Sequence, residues 1–258
     1  VLAVVSRSEA RAAEAARRCG ALRGTADLAE ALDADLLVVA VPDRALGEVG
    51  LRIAAAAKGG GPVVLHTSGG LAGSALGAGV SRAGSLHPLQ SFPDLADDRA
   101  LAARAAGAHW FHEGAGKDEA AAMVRVWKGT LHAIAPGGKA LYHAGAAVLS
   151  NHTVALFDAA LRLFAAAGVP PGEAHAPLAA LLLGTAENVA GAGVPAALTG
   201  PVARGDAATV RAHLDAMWQT APELVESYVA MARRALVVAR AKGSLPDGAA
   251  LEIERLLG

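Results

Sequence analysis

The sequence has a single cysteine, Cys19, in 258 residues. No disulfide framework is possible within the chain, and a reducing cytoplasm is the expected compartment. Charge of one sign is also missing. The formal net charge is -1, and the basic residues are scattered and mostly Arg, so nothing marks an electrostatic footprint for nucleic acid or an anionic membrane. Partners are expected among small molecules and other subunits. Apolar stretches are broken by Ser, Asn, His, Asp or Arg well before they reach the length of a membrane span, and no signal peptide is visible. There is no internal repeat, and the only compositional bias is Ala in amphipathic segments, which suits close helix packing.

A chain of this length has room for two ordinary domains. In the first half, short β-branched runs alternate with helical segments. Leu2 to Val5 reads as a strand, Ser6-Arg7-Ser8 as a turn, and the Ala/Glu/Arg segment through Arg18 as a helix. A short strand over Ala21 to Thr25 and a helix over Leu28 to Leu32 capped by Asp27 follow. Leu36 to Val41 is continuously apolar, as a strand covered on both faces must be. Pro42-Asp43 ends it, a helix runs to about Ala57, and Gly59 to Pro62 resets the chain for a strand over Val63 to His66. A helix near Leu71 to Leu76, strands over Gly84 to Pro88 and Gly107 to His112, and a loop at Phe92-Pro93-Asp94 complete this half. The spacing predicts α/β architecture, a parallel sheet with right-handed crossovers. From Lys117 the pattern changes to long Ala- and Leu-rich helices near 118–128, 139–167, 174–190, 207–218 and 221–242. The expected division is a Rossmann-like dinucleotide-binding domain over 1–116 and an all-helical domain over 117–258.

The Gly-rich phosphate motif of dinucleotide folds is lacking: no Gly-x-Gly-x-x-Gly follows a strand and opens a helix. In a sheet of order 3-2-1-4-5 the first visible strand corresponds to strand 2, so the central strand 1 is missing from this sequence. The expectation is an upstream strand, turn and helix of roughly 25–30 residues.

Residues 139 to 151 supply the densest group of chemistry-bearing side chains. On a helix, Lys139 and His143 share a stripe with Ser150, and the positions between are small, so a ligand can lie against the helix. A snorkelling Lys beside a half-buried His is the plainer account of the same spacing. Ser6-Arg7-Ser8 stands where such folds meet the adenosine ribose. An acidic residue there favours NAD, whereas Arg with hydroxyl neighbours can hold a 2′-phosphate; a solvated turn with a helix-capping Ser accounts for it equally. His66 and His87 end strands at the carboxyl edge, where ligands bind, or where backbone carbonyls satisfy them. Asn188 and Arg204 are candidates for substrate contact, or for helix packing and pinning a loop. His109 and His112 lie three apart on a strand and so face opposite ways, which argues against a metal site.

Several motifs taken together carry a resemblance: Val41-Pro42-Asp43 after a strand, His66-Thr67-Ser68-Gly69, Ser85 through Phe92 with His87-Pro88, Lys139-x-x-Tyr142-His143 followed by Ser150-Asn151, and Ala197 through Asp206. They resemble a bacterial family of Rossmann-like proteins whose C-terminal half is a domain of unknown function. That family is distantly similar to pyrroline-5-carboxylate reductase, ketopantoate reductase and the 3-hydroxyisobutyrate/6-phosphogluconate dehydrogenases. His87-Pro88 is also similar to a motif in prephenate dehydrogenases. The resemblance implies an NADP-dependent oxidoreductase, NAD being an alternative, with a helical domain similar to that of 6-phosphogluconate dehydrogenase and a homodimer built through the C-terminal helices. It makes Lys139 match the catalytic Lys of the hydroxyacid dehydrogenases, with His143 where their Asn stands. It further implies substrate contacts from Ser150, Asn151, Asn188, Arg204 and His87, and cofactor contacts from Ser6, Arg7, Ser8, Val41, Pro42 and Ser68. The expected substrate is a small, anionic carbonyl or alcohol. The competing expectation is a non-catalytic nucleotide- or metabolite-binding dimer. A hydrolase is disfavoured because no Gly-x-Ser-x-Gly elbow is present.

Overall fold

The computed structural model describes residues 1–57, 60–92, 97–243 and 245–258. The expectations that fall on Gly59, Pro93 and Asp94 lie outside these residues. The chain forms two compact units, Val1–Asn151 and His152–Gly258.

In the first unit the order is β1 (Ala3–Val5), α1 (Glu9–Cys19), β2 (Arg23–Thr25), β3 (Leu36–Val39), α2 (Leu46–Ala57), β4 (Val63–His66), β5 (Ala83–Pro88), α3 (Asp98–Ala105), β6 (His109–Gly114), α4 (Lys117–Val126), β7 (Thr130–Ala133) and α5 (Lys139–Leu149). Single 3-10 turns stand at Leu28–Ala31, Asp43–Ala45 and Gly73–Leu76. Boundaries have local causes. Asp27 Oδ1 accepts from the Ala29 amide at 2.9 Å and starts its turn. Gly20 ends α1 at φ 67, a left-handed conformation that suits glycine.

The strands form two sheets. β1 and β2 pair in parallel as a two-stranded ribbon, and β3-β4-β5-β6-β7 form a five-stranded sheet. β6 and β7 depart from the sequence reading. β6 runs antiparallel to β5, because the Leu89 amide bonds the His109 carbonyl at 2.9 Å: β6 starts where β5 ends, and α3 does not carry the chain back across the sheet. β7 is a strand that periodicity did not reveal. It pairs in parallel with β6 through the α4 crossover, and the first compact unit runs to Asn151.

β4 is the strand buried on both faces. Val64 points into a cluster with Val39, Leu46, Ile53 and Leu76, while Val63 and Leu65 point into the opposite one with Leu86, Trp110 and Val124, as a two-residue repeat requires. β3, expected to be covered on both faces, buries only Val39 fully; it is the edge strand of its sheet. Val64 is 1% exposed, so Val64→Ala should cost about 2 kcal/mol from two lost methyl groups and the void they leave. Chemical denaturation measures it, and a cost below about 0.5 kcal/mol would mean the face is not packed as described.

The second unit holds α6 (Asn151–Ala166, whose first residue belongs to the first unit), α7 (Pro171–Ala192), α8 (Val194–Ala197), α9 (Pro201–Arg204), α10 (Ala207–Thr220), α11 (Val225–Lys242) and α12 (Asp247–Leu257). The long helix expected over 139–167 is divided at Ser150 into α5 and α6. The core of this unit is Val210, Leu214, Met217, Leu236, Ile253 and Leu257, drawn from α10, α11 and α12. Asp206 caps α10, accepting from the Thr209 amide at 3.0 Å and the Thr209 hydroxyl at 2.7 Å. By contrast, α6 buries no residue fully and α7 buries only Ala174 and Leu178. Among the described residues, no helix is long and apolar enough to cross a membrane.

Candidate active site

The site is assembled by α5, the ends of β4 and β5, and the turn after β4. The Pro136-Gly137-Gly138 turn lets α5 start abruptly, with Gly137 at φ 79. Lys139 is the first residue of α5 and only 2% exposed. Its Nζ donates to the Ser68 carbonyl at 2.8 Å and lies 5.5 Å from the centre of the Tyr142 ring. No second acceptor lies within hydrogen-bond distance of Nζ among the described residues, so the ammonium keeps unused donors. Burial pulls the Lys139 pKa down to about 8, against the opposing pull of the Glu113 and Asp43 carboxylates.

The Ser68 carbonyl is itself held from several directions. Ser68 Oγ donates to Asp43 Oδ2 at 3.0 Å and accepts from the Leu71 amide at 3.1 Å. The Ser68 amide donates to His66 Nδ1 at 3.2 Å, and His66 Nε2 then donates to the Ala72 carbonyl at 2.9 Å. The fully buried His66 is thereby a satisfied strand-end histidine, and burial lowers its pKa further. Glu113 Oε2 accepts from the Gly73 amide at 2.8 Å, fixing the far end of the same turn.

His87, Tyr142 and His143 surround Gly69. Tyr142 Oη stands 2.7 Å from His87 Nδ1, and the rings of His87 and His143 meet edge to face at 6.3 Å. A methyl group on Gly69 would stand 2.6 Å from His143 Cδ2 and 2.9 Å from His87 Nε2. The two imidazoles close on Gly69, and any side chain there would collide with both. Burial first, and then the positive charges of Lys139 and His143, lower the His87 pKa to about 4. Burial raises the Tyr142 phenol to about 12.

Of the expected catalytic and substrate residues, Lys139, His143 and His87 come together here. Ser150 and Asn151 are exposed at the break between α5 and α6. Eleven residues separate Ser150 from Lys139, about 16 Å along a helix axis, too far for one small ligand to touch both. Asn188, on α7, and Arg204, the last residue of α9, are exposed in the second unit. Among the expected cofactor residues, the Ser68 hydroxyl is engaged with Asp43 and Leu71. Val41 packs on the core beside β3, and Pro42 is exposed, its carbonyl closing the next turn. Ser6, through its amide, bonds Thr25 at 3.2 Å; Ser8 caps α1, accepting from the Arg11 amide at 3.5 Å. Arg7 is exposed and makes no ion pair among the described residues. His109 pairs with His132 at 2.9 Å while His112 bonds the Ala115 carbonyl, so the two point apart as expected.

Asp43, Gly69, Glu113 and Tyr142 were not anticipated as site residues. Tyr142 had a usable signal, standing three residues after Lys139 on the same helix, and Asp43 and Gly69 stood within motifs that carry the resemblance.

Comparison with known proteins places these features in a family context. The description "Rossmann-like domain" matches residues 1–93, and "Domain of unknown function (DUF2520)" matches residues 112–235. Among curated proteins, none matches the sequence. A Thermotoga maritima protein of solved structure is similar at a TM-score of 0.70 with 23% identity, over 92% of this chain and 90% of that one. A pyrroline-5-carboxylate reductase from Coxiella burnetii is similar at 0.54 with 16% identity, over 94% and 88%. The Plasmodium falciparum pyrroline carboxylate reductase with NADP bound is similar at 0.57 with 13% identity, over 94% and 97%. At these identities the likeness establishes the fold.

Proposed function

In a chain that joins a Rossmann-like domain to the domain of unknown function DUF2520, we propose an NADP-dependent oxidoreductase acting on a small, anionic carbonyl or alcohol. The observation that carries this reading is Lys139, a buried amine whose pKa lies near 8 and which keeps donors unused beyond its bond to the Ser68 carbonyl. Hydride transfer to a carbonyl carbon leaves negative charge on oxygen, and a positioned acid must neutralise it. Lys139 delivers that proton from Nζ. In the oxidative direction the neutral amine removes it, which burial makes accessible near neutral pH. His143, one turn along α5, orients the substrate. The nicotinamide cofactor, when bound, supplies or accepts the hydride.

The residues present fit that cofactor at both of its ends: the unpaired Arg7 on an exposed turn suits a 2′-phosphate, and the Lys139 cluster suits the reacting end. NADP(H) is accordingly favoured over NAD(H). Arg7→Ala is expected to weaken NADP(H) binding by about 1–3 kcal/mol, the range for hydrogen bonds to charged groups, and to leave NAD(H) binding unchanged. Calorimetric titration of the full-length gene product decides it; equal affinity of the unsubstituted protein for the two cofactors removes the basis for this assignment.

The competing reading is a nucleotide- or metabolite-binding dimer without turnover, because a fold does not by itself guarantee chemistry. Persistent absence of turnover across small keto acids and their alcohols, with cofactor binding intact, selects that reading. In either case the dimer forms through α6 and α7, whose apolar side chains lack cover within their own chain.

A further inference from the structure

His87 is reached from β5 and Tyr142 from α5, and both lie in the first unit. The Tyr142 ring is backed by Phe111 at 4.7 Å between centroids, so its hydroxyl is not free to swing. Tyr142 Oη and His87 Nδ1 are 2.7 Å apart, and among the described residues neither the hydroxyl nor His87 Nε2 has another hydrogen-bond partner. A phenol carries one proton. Among the described residues Nδ1 is the acceptor in its reach, and a neutral imidazole that accepts at Nδ1 carries its own proton on Nε2. That nitrogen points toward Gly69, 2.9 Å from where a Cβ would stand. The protonation states agree with the geometry: the imidazole is held neutral and the phenol keeps its proton.

We infer that Tyr142 is a positioning residue that locks His87 as the Nε2–H tautomer, so that His87 offers a proton to a hydrogen-bond acceptor, a carbonyl or carboxylate oxygen, and disfavours an N–H or O–H donor. The opposite tautomer would present a lone pair at Nε2 and select for a donor. Lys139, anchored on the Ser68 carbonyl, is the other unspent donor of the cluster. The part of this inference that concerns substrate rests on the oxidoreductase reading; the tautomer does not.

The test uses the full chain with 15N-labelled histidine and long-range proton–nitrogen correlation spectra, His87 being assigned by the signals lost in His87→Gln. The expected spectrum has His87 Nδ1 bare and Nε2 protonated in the unsubstituted protein, and a mixture of tautomers in Tyr142→Phe. A proton on Nδ1, or an unchanged tautomer in Tyr142→Phe, overturns the inference, and the parent spectrum decides it even where the variant does not fold. Acetate, used as the acceptor probe, is expected to move the Nε2–H signal in the parent and to move it less in Tyr142→Phe. Equal movement in both overturns the positioning role, and no movement in the parent overturns the acceptor site. None of these readouts needs cofactor or turnover, so an inactive protein would sink the oxidoreductase reading and leave the tautomer standing.

Discussion

Replacing Lys139 with Met is expected to lower turnover by about 10²–10⁴-fold, the usual scale for general acid–base catalysis, with NADP(H) affinity unchanged. Met keeps a similar length and removes the proton. In the reductive direction the reacting form is the ammonium, so the rate of the unsubstituted protein should fall as pH rises through about 8. Stability should move the other way. The amine titrates near 8 in the folded chain and near 10.5 when unfolded, so between those values the unfolded state binds more protons and stability rises with pH. The cost of burying the charged form is fully present below pH 8. Lys139→Met removes it, and should stabilise the protein at pH 7 by on the order of 1–3 kcal/mol while flattening the rise between pH 8 and 10. An undiminished rate in Lys139→Met would rule out the assignment. A loss of both rate and stability would mean that Lys139 supports the fold instead. His143→Asn is the milder companion, expected to retain measurable turnover because His143 only orients substrate.

The other large effect is expected on α7. Leu181 and Leu183 are 66% and 65% exposed within one chain, yet side chains two apart on a helix point about 200° away from each other. Opposite flanks of α7 are therefore both apolar and both bare. A helix that is apolar all round is stable only when buried on all sides. A second copy of the chain, gripping α7 from both flanks, meets that requirement. Leu181→Arg and Leu183→Arg each place an unpaired charge in such an interface, at a cost of several kcal/mol. Each is expected to convert a dimer to monomer at micromolar concentration in sedimentation velocity. A monomeric unsubstituted protein would refute the dimer, and a variant that stays dimeric would clear its flank of a role.

Much of the first unit was readable because its strands declare themselves. Val63 to Leu65 is an apolar run between glycine-rich turns, closed by His66, and it is the strand buried on both faces. β7 escaped notice because Thr130-Leu131-His132-Ala133 is only four residues long, too short for its alternation to stand out, and its pairing with β6 makes it a strand. The direction of β6 was equally invisible, since periodicity is the same for either direction. At the site, Lys139 and His143 were found because a helix brings residues four apart together. The partner of Lys139 is a backbone carbonyl, which every residue possesses and no sequence pattern marks. Tyr142 meets His87 across 55 residues of chain, a pairing that requires the fold.

The burial of β4 bears on how the protein opens. β4 has a neighbour on each side and all four of its residues are buried, so its amides should exchange with solvent only through deep openings. Ser68, whose carbonyl holds Lys139, stands two residues beyond that strand. The anchor of the amine is thereby tied to a slow-opening part of the sheet, and shallow fluctuations elsewhere should leave the Lys139 proton where it is.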